Sequence, residues 1–398
     1  MHIGMRVVSF CHYLQGPACT QYLADMGADV VKIEPLGGAF ERHWSGAKSY
    51  VGGVSAFVLA VNRNKRSLAV DLKHPDGREI VLRLIDGADV VVENFRPGVL
   101  DRLGFGYEAI RARKPDIIYA SASGLGASGP AAARPGQDLL MQARSGLIAS
   151  TGGGERGPVV VGAAIVDQHG GALIAMGVLG AYVHKLQTGA GARVEGNLFS
   201  AGIDLQSEAL TMYFAAPNRR ELSRRDRHVG SWYHDAPYGL YELGDCRIVL
   251  SMNDPRKLAE ALDNDELREL QDIDRYAERD RYARAVAEVL RMRSFADIAR
   301  TFDANGIWYE RVQDYEDLRG DPQAVHNEVF GAVDVRGEKV TVINHPLRYD
   351  REVPAFRRVP LAPGADSLEV LAELGYDAEA RRRLVEQGVV GAPAPDAA

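Results

Sequence analysis

Asp167 has the setting of a reactive or a capping carboxylate. It follows the apolar run VVVGAAIV, precedes Gly170 and Gly171, and stands where a long apolar helical pattern begins. Asp is a preferred helix N-cap, a role worth roughly 0.5–2 kcal/mol. The same placement serves a nucleophile, because the helix dipole favours the ionised carboxylate and a turn leaves it accessible. Two glycines just after it would let a bulky substrate approach the backbone. Cap and nucleophile are compatible roles, and the residues alone leave both open.

Cations cluster as Arg63, Lys65, Arg66 and Lys73 in NRNKRSLAVDLK, and as Arg96 and Arg102 in ENFRPGVLDR. Such runs are most often solvated surface. Converging on one edge of a sheet, they would hold phosphate, with arginine forking onto its oxygens. His169 and His184 stand too far apart along one helix to form a metal pair. Cys11, Cys19 and Cys246 are too few for a disulfide framework, and no CxxC pair occurs. Glu34 ends a β-rich run as a ribose-binding acid would, yet the first turn, FCHYLQGPAC, lacks the GxGxxG that lets a pyrophosphate approach. Walker A and GxSxG motifs are absent as well.

These residues need elements to hold them. Arg6–Phe10 reads as a strand, Pro17–Met26 as a helix, and Asp29–Ile33 as a second strand. After a loop of some length come a helix over Pro75–Ile85, a strand over Asp89–Val92 and another over Asp116–Ala120. Apolar strands alternating with helices imply a parallel sheet covered on both faces, with ligands beyond the carboxyl ends of the strands. That directs attention to the loops after Phe10, Ile33, Val92 and Ala120, and places His12 in the binding zone. A long helix is expected over Asp167–Gln187, then a strand–helix passage in RVEGNLFSAGIDL. Charged NRRELSRRDR at 218–227 marks a crossing into a smaller α/β unit, with helices over Leu258–Leu270 and Ala283–Met292. His345–Ala365 is proline-dotted extended chain, followed by a helix over Ser367–Leu374 and a frayed tail. The expected domains are 1–217, 218–330 and a C-terminal segment 331–398 returning to the first.

Composition sets the outer limits. The 398 residues are 46% hydrophobic and 25% charged, an ordinary globular balance that excludes disorder and fibrous repeats. A net charge of −7 offers no global field for nucleic acid or an anionic membrane, so a phosphate-bearing partner requires a local cluster. The most apolar stretch, Ala172–Val183, is too short to span a bilayer and reads as a buried helix. The N-terminus lacks the pattern of a secretory signal, and the sparse cysteines suit a reducing compartment, so a cytoplasmic location is expected.

Taken together in order, several segments resemble the class III CoA-transferase family, the CaiB/BaiF group that includes formyl-CoA transferase-like enzymes. They are GPACTQYLADMGADVVKIEP at 16–35, NRNKRSLAVDLKHPDGRE at 62–79, VVENFRPGVLDRLGFGYE at 91–108 and SASGLGASGP at 121–130. The Asp167 segment, TGAGARVE at 188–195 and APYGLYEL at 236–243 continue the series, with weaker echoes as far as residue 377. The resemblance implies a Rossmann-like parallel-sheet large domain without the dinucleotide fingerprint, a smaller α/β domain, and an interlocked dimer. It matches CoA-binding positions to His12, Gln15, Val70, Lys73, Asn94, Phe95 and Arg102, with Arg96 adjacent. The family's nucleophile matches Asp167, and a polar or acidic position near the acyl group matches Asp138. CoA thioesters and small carboxylic acids are then substrates, and no tightly bound cofactor is implied.

The mechanism implied is covalent, through an aspartyl anhydride and an aspartyl-CoA thioester, with backbone N–H groups at the helix start stabilising the oxyanions. An α-methylacyl-CoA racemase is a rival within the family, but it needs acid–base groups flanking the α-carbon. The resemblance puts its histidine where Gln137 stands in Gly136-Gln137-Asp138, and glutamine is no base. Intramolecular CoA isomerisation and a non-catalytic CoA-binding protein are the other readings. The acids exchanged are not legible; Arg42 or Arg144 would favour a dicarboxylate if either faced the site.

Overall fold

Side-chain pattern dictates a seven-stranded sheet in the computed structural model, which describes residues 2–154, 157–215 and 224–393. The strands are β1 (Arg6–Phe10), β2 (Asp29–Glu34), β3 (Lys65–Val70), β4 (Val90–Glu93), β5 (Ile118–Ser123), β6 (Ala192–Asn197) and β7 (Val390–Gly391). Their order is β7-β3-β2-β1-β4-β5-β6. The first six are parallel, and β7 closes the edge antiparallel to β3 with Val390 opposite Val70. Chain order reverses between β1 and β4, so the crevice for a ligand opens at their carboxyl ends.

The strands are apolar because both faces are covered. One face packs Val7, Val90 and Val92 against α1 (Gln15–Asp25), through Cys19 and Leu23, and against the long α5 (Ile165–Thr188), through Ile174 and Val178. The other packs Val8, Phe10 and Val91 against Ile80, Val81 and Ile85 of α2 (Pro75–Asp86). Further helices are α3 (Val99–Leu103), α4 (Asp138–Arg144) and α5 (Ile165–Thr188). Pro75 opens α2 where its missing N–H costs nothing, and Gly189 ends α5 in the left-handed conformation.

The strands and helices expected for this sheet stand, within about three residues at their ends, whereas β3, β7, α3, α4 and a helix over Tyr107–Arg113 lie outside the expectation. β3 falls in what reads as loop, because Lys65 and Arg66 disguise a strand whose every residue is buried. Gly170 and Gly171 also take a different role from the expected one. A Cβ on Gly171 would lie 2.8 Å from the Gln15 carbonyl oxygen and 2.9 Å from Ala18 Cβ, and one on Gly170 would lie 2.8 Å from Gln15 Nε2. They serve the close approach of α5 to α1, not of substrate to backbone.

By contacts the chain forms two units, one of residues 1–141, 164–202 and 321–398, the other of 142–163 and 203–320. The expected boundary at 217/218, most of the charged crossing (218–223) and the tail end (394–398) lie outside the described residues. The second unit holds an antiparallel sheet of Gly239–Glu242, Arg247–Leu250 and Tyr309–Arg311. Around it, Tyr241, Ile248, Leu258, Tyr282 and Phe302 form a separate core. The single helix expected over Leu258–Leu270 is two, Pro255–Leu262 and Asp265–Glu269. Asp263 turns left-handed at φ 47° between them, and the Asn264 side chain accepts the Leu267 N–H to cap the second. Among the described residues no helix is long and apolar enough to cross a membrane, and no cluster of three potential metal ligands occurs.

Candidate active site

The start of α5 is built so that its aspartate stays unengaged. Ala164, not Asp167, is the N-cap, and it has no side chain to do the work. Asp138, from the start of α4, does it instead: its Oδ1 accepts the N–H groups of Val166 at 2.7 Å and Asp167 at 3.0 Å. Asp138 is placed there by glycine, since Gly124 after β5 and Gly136 meet backbone to backbone and a Cβ on either would collide with the other. The capping role read for Asp167 is thus transferred to Asp138. No donor among the described residues reaches the Asp167 carboxylate, which is partly buried. Burial, with the Asp138 carboxylate adding to it, pushes the Asp167 carboxyl up to about 7. The same contacts correct the expected oxyanion donors. Asp138 takes two of the N–H groups at the helix start, and that of Gln168 goes to the Ala164 carbonyl.

The crevice between β1 and β4 brings together four of the expected residues. The Asn94 side chain holds the loop after β1 at both ends: its Oδ1 accepts the His12 N–H at 2.9 Å and its Nδ2 donates to the His12 carbonyl at 2.7 Å. Asn94 is therefore an organiser of this crevice. Its neighbour Phe95 packs its ring 4.8 Å from the His12 imidazole. Burial lowers the proton affinity of that imidazole, and its Nδ1 is buried without a hydrogen-bond partner among the described residues. Gln15 is buried beside Gly170 on α5, with its Nε2 also unpartnered among the described residues.

Two clusters of cations separate completely. Arg63 is buried on Asp25, with Nη2 to Oδ2 at 2.7 Å. Fully buried Lys65 donates to Pro17 O, Val61 O and Asn62 Oδ1, and burial, then Lys32, lowers its ammonium to about 7. Arg66 pairs with Asp29, Glu369 and Glu373. All three sit before or at the amino end of β3, so they brace the fold and the expected phosphate patch loses them. Arg42 is likewise committed, forking onto Glu34 through Nε and Nη2 at 2.6 Å each. Lys73, Arg96 and Arg102 remain exposed in or beyond the loops that follow β3 and β4. Val70 ends β3 with its side chain in the core, leaving only backbone to face a ligand.

Phe95 and Arg96 also line a cavity of about 390 Å³ at the carboxyl ends of β4, β5 and β6, with Tyr119, Ser121 and Arg193. Glu93, at its edge, accepts the Phe95 N–H at 2.9 Å, and burial raises its carboxyl to about 7. Glu93 escapes notice in the sequence because it continues a valine strand; only its place at the strand end hints at a role.

Residues 3–367 match the model of CoA-transferase family III. Over 397 residues the chain is 30% identical to the human succinyl-CoA:glutarate CoA-transferase, covering 97% of this chain and 89% of the relative. It is 30% identical to the succinyl-CoA:mesaconate CoA-transferase of Haloarcula marismortui, covering 95% and 97% of the two chains. A CaiB/BaiF family protein from Brucella suis has a similar crystal structure, with a TM-score of 0.80, 28% identity, and coverage of 93% of this chain and 98% of that one.

Proposed function

The chain belongs to CoA-transferase family III and is a CoA-transferase, and from that premise we propose that it moves CoA from an acyl-CoA to a free carboxylic acid through Asp167. The observation that carries this reading is a carboxylate at the head of a long helix whose N–H groups another residue already satisfies. Asp167 attacks the thioester carbonyl, the C–S bond breaks, and CoA thiolate leaves an acyl-aspartyl anhydride. The thiolate then attacks the Asp167 carbonyl, expelling the first acid as carboxylate and forming an aspartyl-CoA thioester. The acceptor carboxylate attacks that thioester, and the released thiolate attacks the acceptor's acyl carbon, freeing Asp167. No water or net proton is consumed, and one difficult exchange becomes several easier ones.

Gln15, whose Nε2 has no partner among the described residues and lies beside Gly170, is a donor held close to this helix for the oxyanions. His12, Phe95, Lys73, Arg96 and Arg102 line the course of CoA, and binding energy spent on its remote end positions the thioester. Relatives named for succinyl-CoA, glutarate and mesaconate favour dicarboxylic acids as substrates. A homodimer, interlocked as in the family, suits the exposed Met176, Val183 and Leu186 of α5. Gln137 in place of a basic residue disfavours racemisation.

Incubating the enzyme with succinyl-CoA and no acceptor is expected to give an adduct one CoA heavier, cleaved by hydroxylamine. Asp167→Ala is expected to lose the adduct and at least about 10³-fold of transfer rate. Intact-mass spectra without any adduct on the wild-type enzyme would sink the covalent route.

A further inference from the structure

We propose that Glu93 is a positioning residue for CoA, its carboxylate fixing the turn that presents Phe95 and Arg96 to the substrate; this rests on the transferase reading above. Glu93 closes β4, paired in register with Phe10 of β1 and Ser121 of β5. Successive strand residues face opposite ways, so Glu93 shares the face of Val91 and turns from that of Val92. Asn94 grips the His12 backbone at both its N–H and its carbonyl. Glu93 accepts the N–H of Phe95, two residues on, at 2.9 Å. Two neighbouring side chains thus hold one turn by separate contacts. Phe95 packs on the His12 ring and against the core that contains Val8 and Val91. With Arg96 it lines the same cavity of about 390 Å³ that Glu93 borders.

A carboxylate in this place is a burden to the fold. Burial raises the Glu93 carboxyl to about 7, and Asp101 of α3 adds to the rise, while the Ser121 hydroxyl, the Phe95 N–H and Arg193 of β6 oppose it. The other charged or titratable groups around the cavity are Arg96, Tyr107, Tyr119 and Glu195, the last paired with Arg193 at 2.7 Å. On the β1 side stands the Cys11 thiol, which burial pushes up to about 11 and so keeps neutral. A carboxyl raised in the folded state makes the fold less stable as pH climbs from the ordinary carboxylate range toward 7. Glutamine would remove that burden and still offer an oxygen to the Phe95 N–H. What glutamine lacks is charge, and an ionised acceptor makes the shorter and stronger hydrogen bond. The charge therefore serves the turn, and the hold on Phe95 tightens as Glu93 ionises.

Dissociation constants for CoA are measured calorimetrically at about pH 6 and about pH 8 with the wild-type enzyme and with Glu93→Gln. Their ratio cancels the titration of CoA itself and of Asp167. It is expected to be about five to ten at the higher pH, where Glu93 is ionised, and near one at the lower. The thermal midpoint of Glu93→Gln at the higher pH is expected at or above the wild-type value, whereas a purely structural acceptor would lose stability together with affinity. Ser121→Ala keeps the carboxyl but removes a hydroxyl that opposes its rise, so the pH transition in CoA affinity is expected to move upward from its wild-type position. The assignment is overturned by a ratio within twofold at the higher pH, by equal ratios at both, by a Ser121→Ala transition that stays put, or by a Glu93→Gln midpoint that falls with affinity. A wild-type enzyme that binds no CoA would instead overturn the transferase reading itself.

Discussion

Two carboxylates divide the labour at the head of α5. Asp138 satisfies the helix, which leaves the Asp167 carboxylate for the attack proposed above, and the Asp138 charge acts on it. Attack requires ionised Asp167, whose carboxyl is raised to about 7 first by burial and then by Asp138. The pH dependence of kcat/KM should therefore show an acid limb near neutrality. Asp138→Asn keeps an oxygen to accept the Val166 and Asp167 N–H groups but removes the negative charge. With the repulsion gone, Asp167 ionises more readily, so the limb is expected to move to lower pH. A limb that stays put or moves upward would show that Asp138 does not act on Asp167 through charge.

At the scale of elements, α1 and α5 meet through glycine. Gly171 allows an approach at which a methyl group would press on the Gln15 carbonyl oxygen, Ala18 Cβ and the Cys19 N at 3.2 Å. Backbone atoms cannot rotate aside, so the helices must separate. Gly171→Ala is expected to cost about 1–3 kcal/mol by overpacking, despite the better helix propensity of alanine. Because Gln15 lies at this contact, activity should fall together with the urea midpoint. A variant as stable as wild type would mean that α1 moves away freely. Helix–helix geometry of this kind also explains why GG after Asp167 misleads as a substrate notch: the spacing is the same whichever backbone comes close.

At the scale of the molecule, charge is partitioned by depth. Buried cations brace the sheet: Lys32 donates to Cys11 O and Glu41, and Arg63 to Asp25, to which Asn64 and His345 also turn. Lys73, Arg96 and Arg102 stay exposed in or beyond the loops that follow β3 and β4. The long α5 meanwhile leaves Met176, Val183 and Leu186 in solvent, large apolar groups on a helix whose other side is core. We expect light scattering to return twice the 43.3 kDa chain mass at micromolar concentration. Charged substitutions at Met176 and Val183 should then lower the dimer fraction, and a monodisperse monomer of the wild-type protein would remove the dimer from this account.

Local pattern was enough for β1, β2, β4 and β5, for α1, α2 and α5, and for the place of Asp167 in the first turn of α5, because hydrophobic period and turn residues act over a few positions. The crevice was legible too, since the side on which a parallel sheet binds follows from strand direction. Two things were settled only by tertiary contact. Arg63, Lys65 and Arg66 became braces because Asp25, Asp29 and Pro17, distant in sequence, stand beside them. Asp138 took over the cap of α5 because two glycines let their loops touch. A charged side chain looks the same in sequence whether water, a carboxylate or a substrate will neutralise it, and only the fold brings one of these within reach.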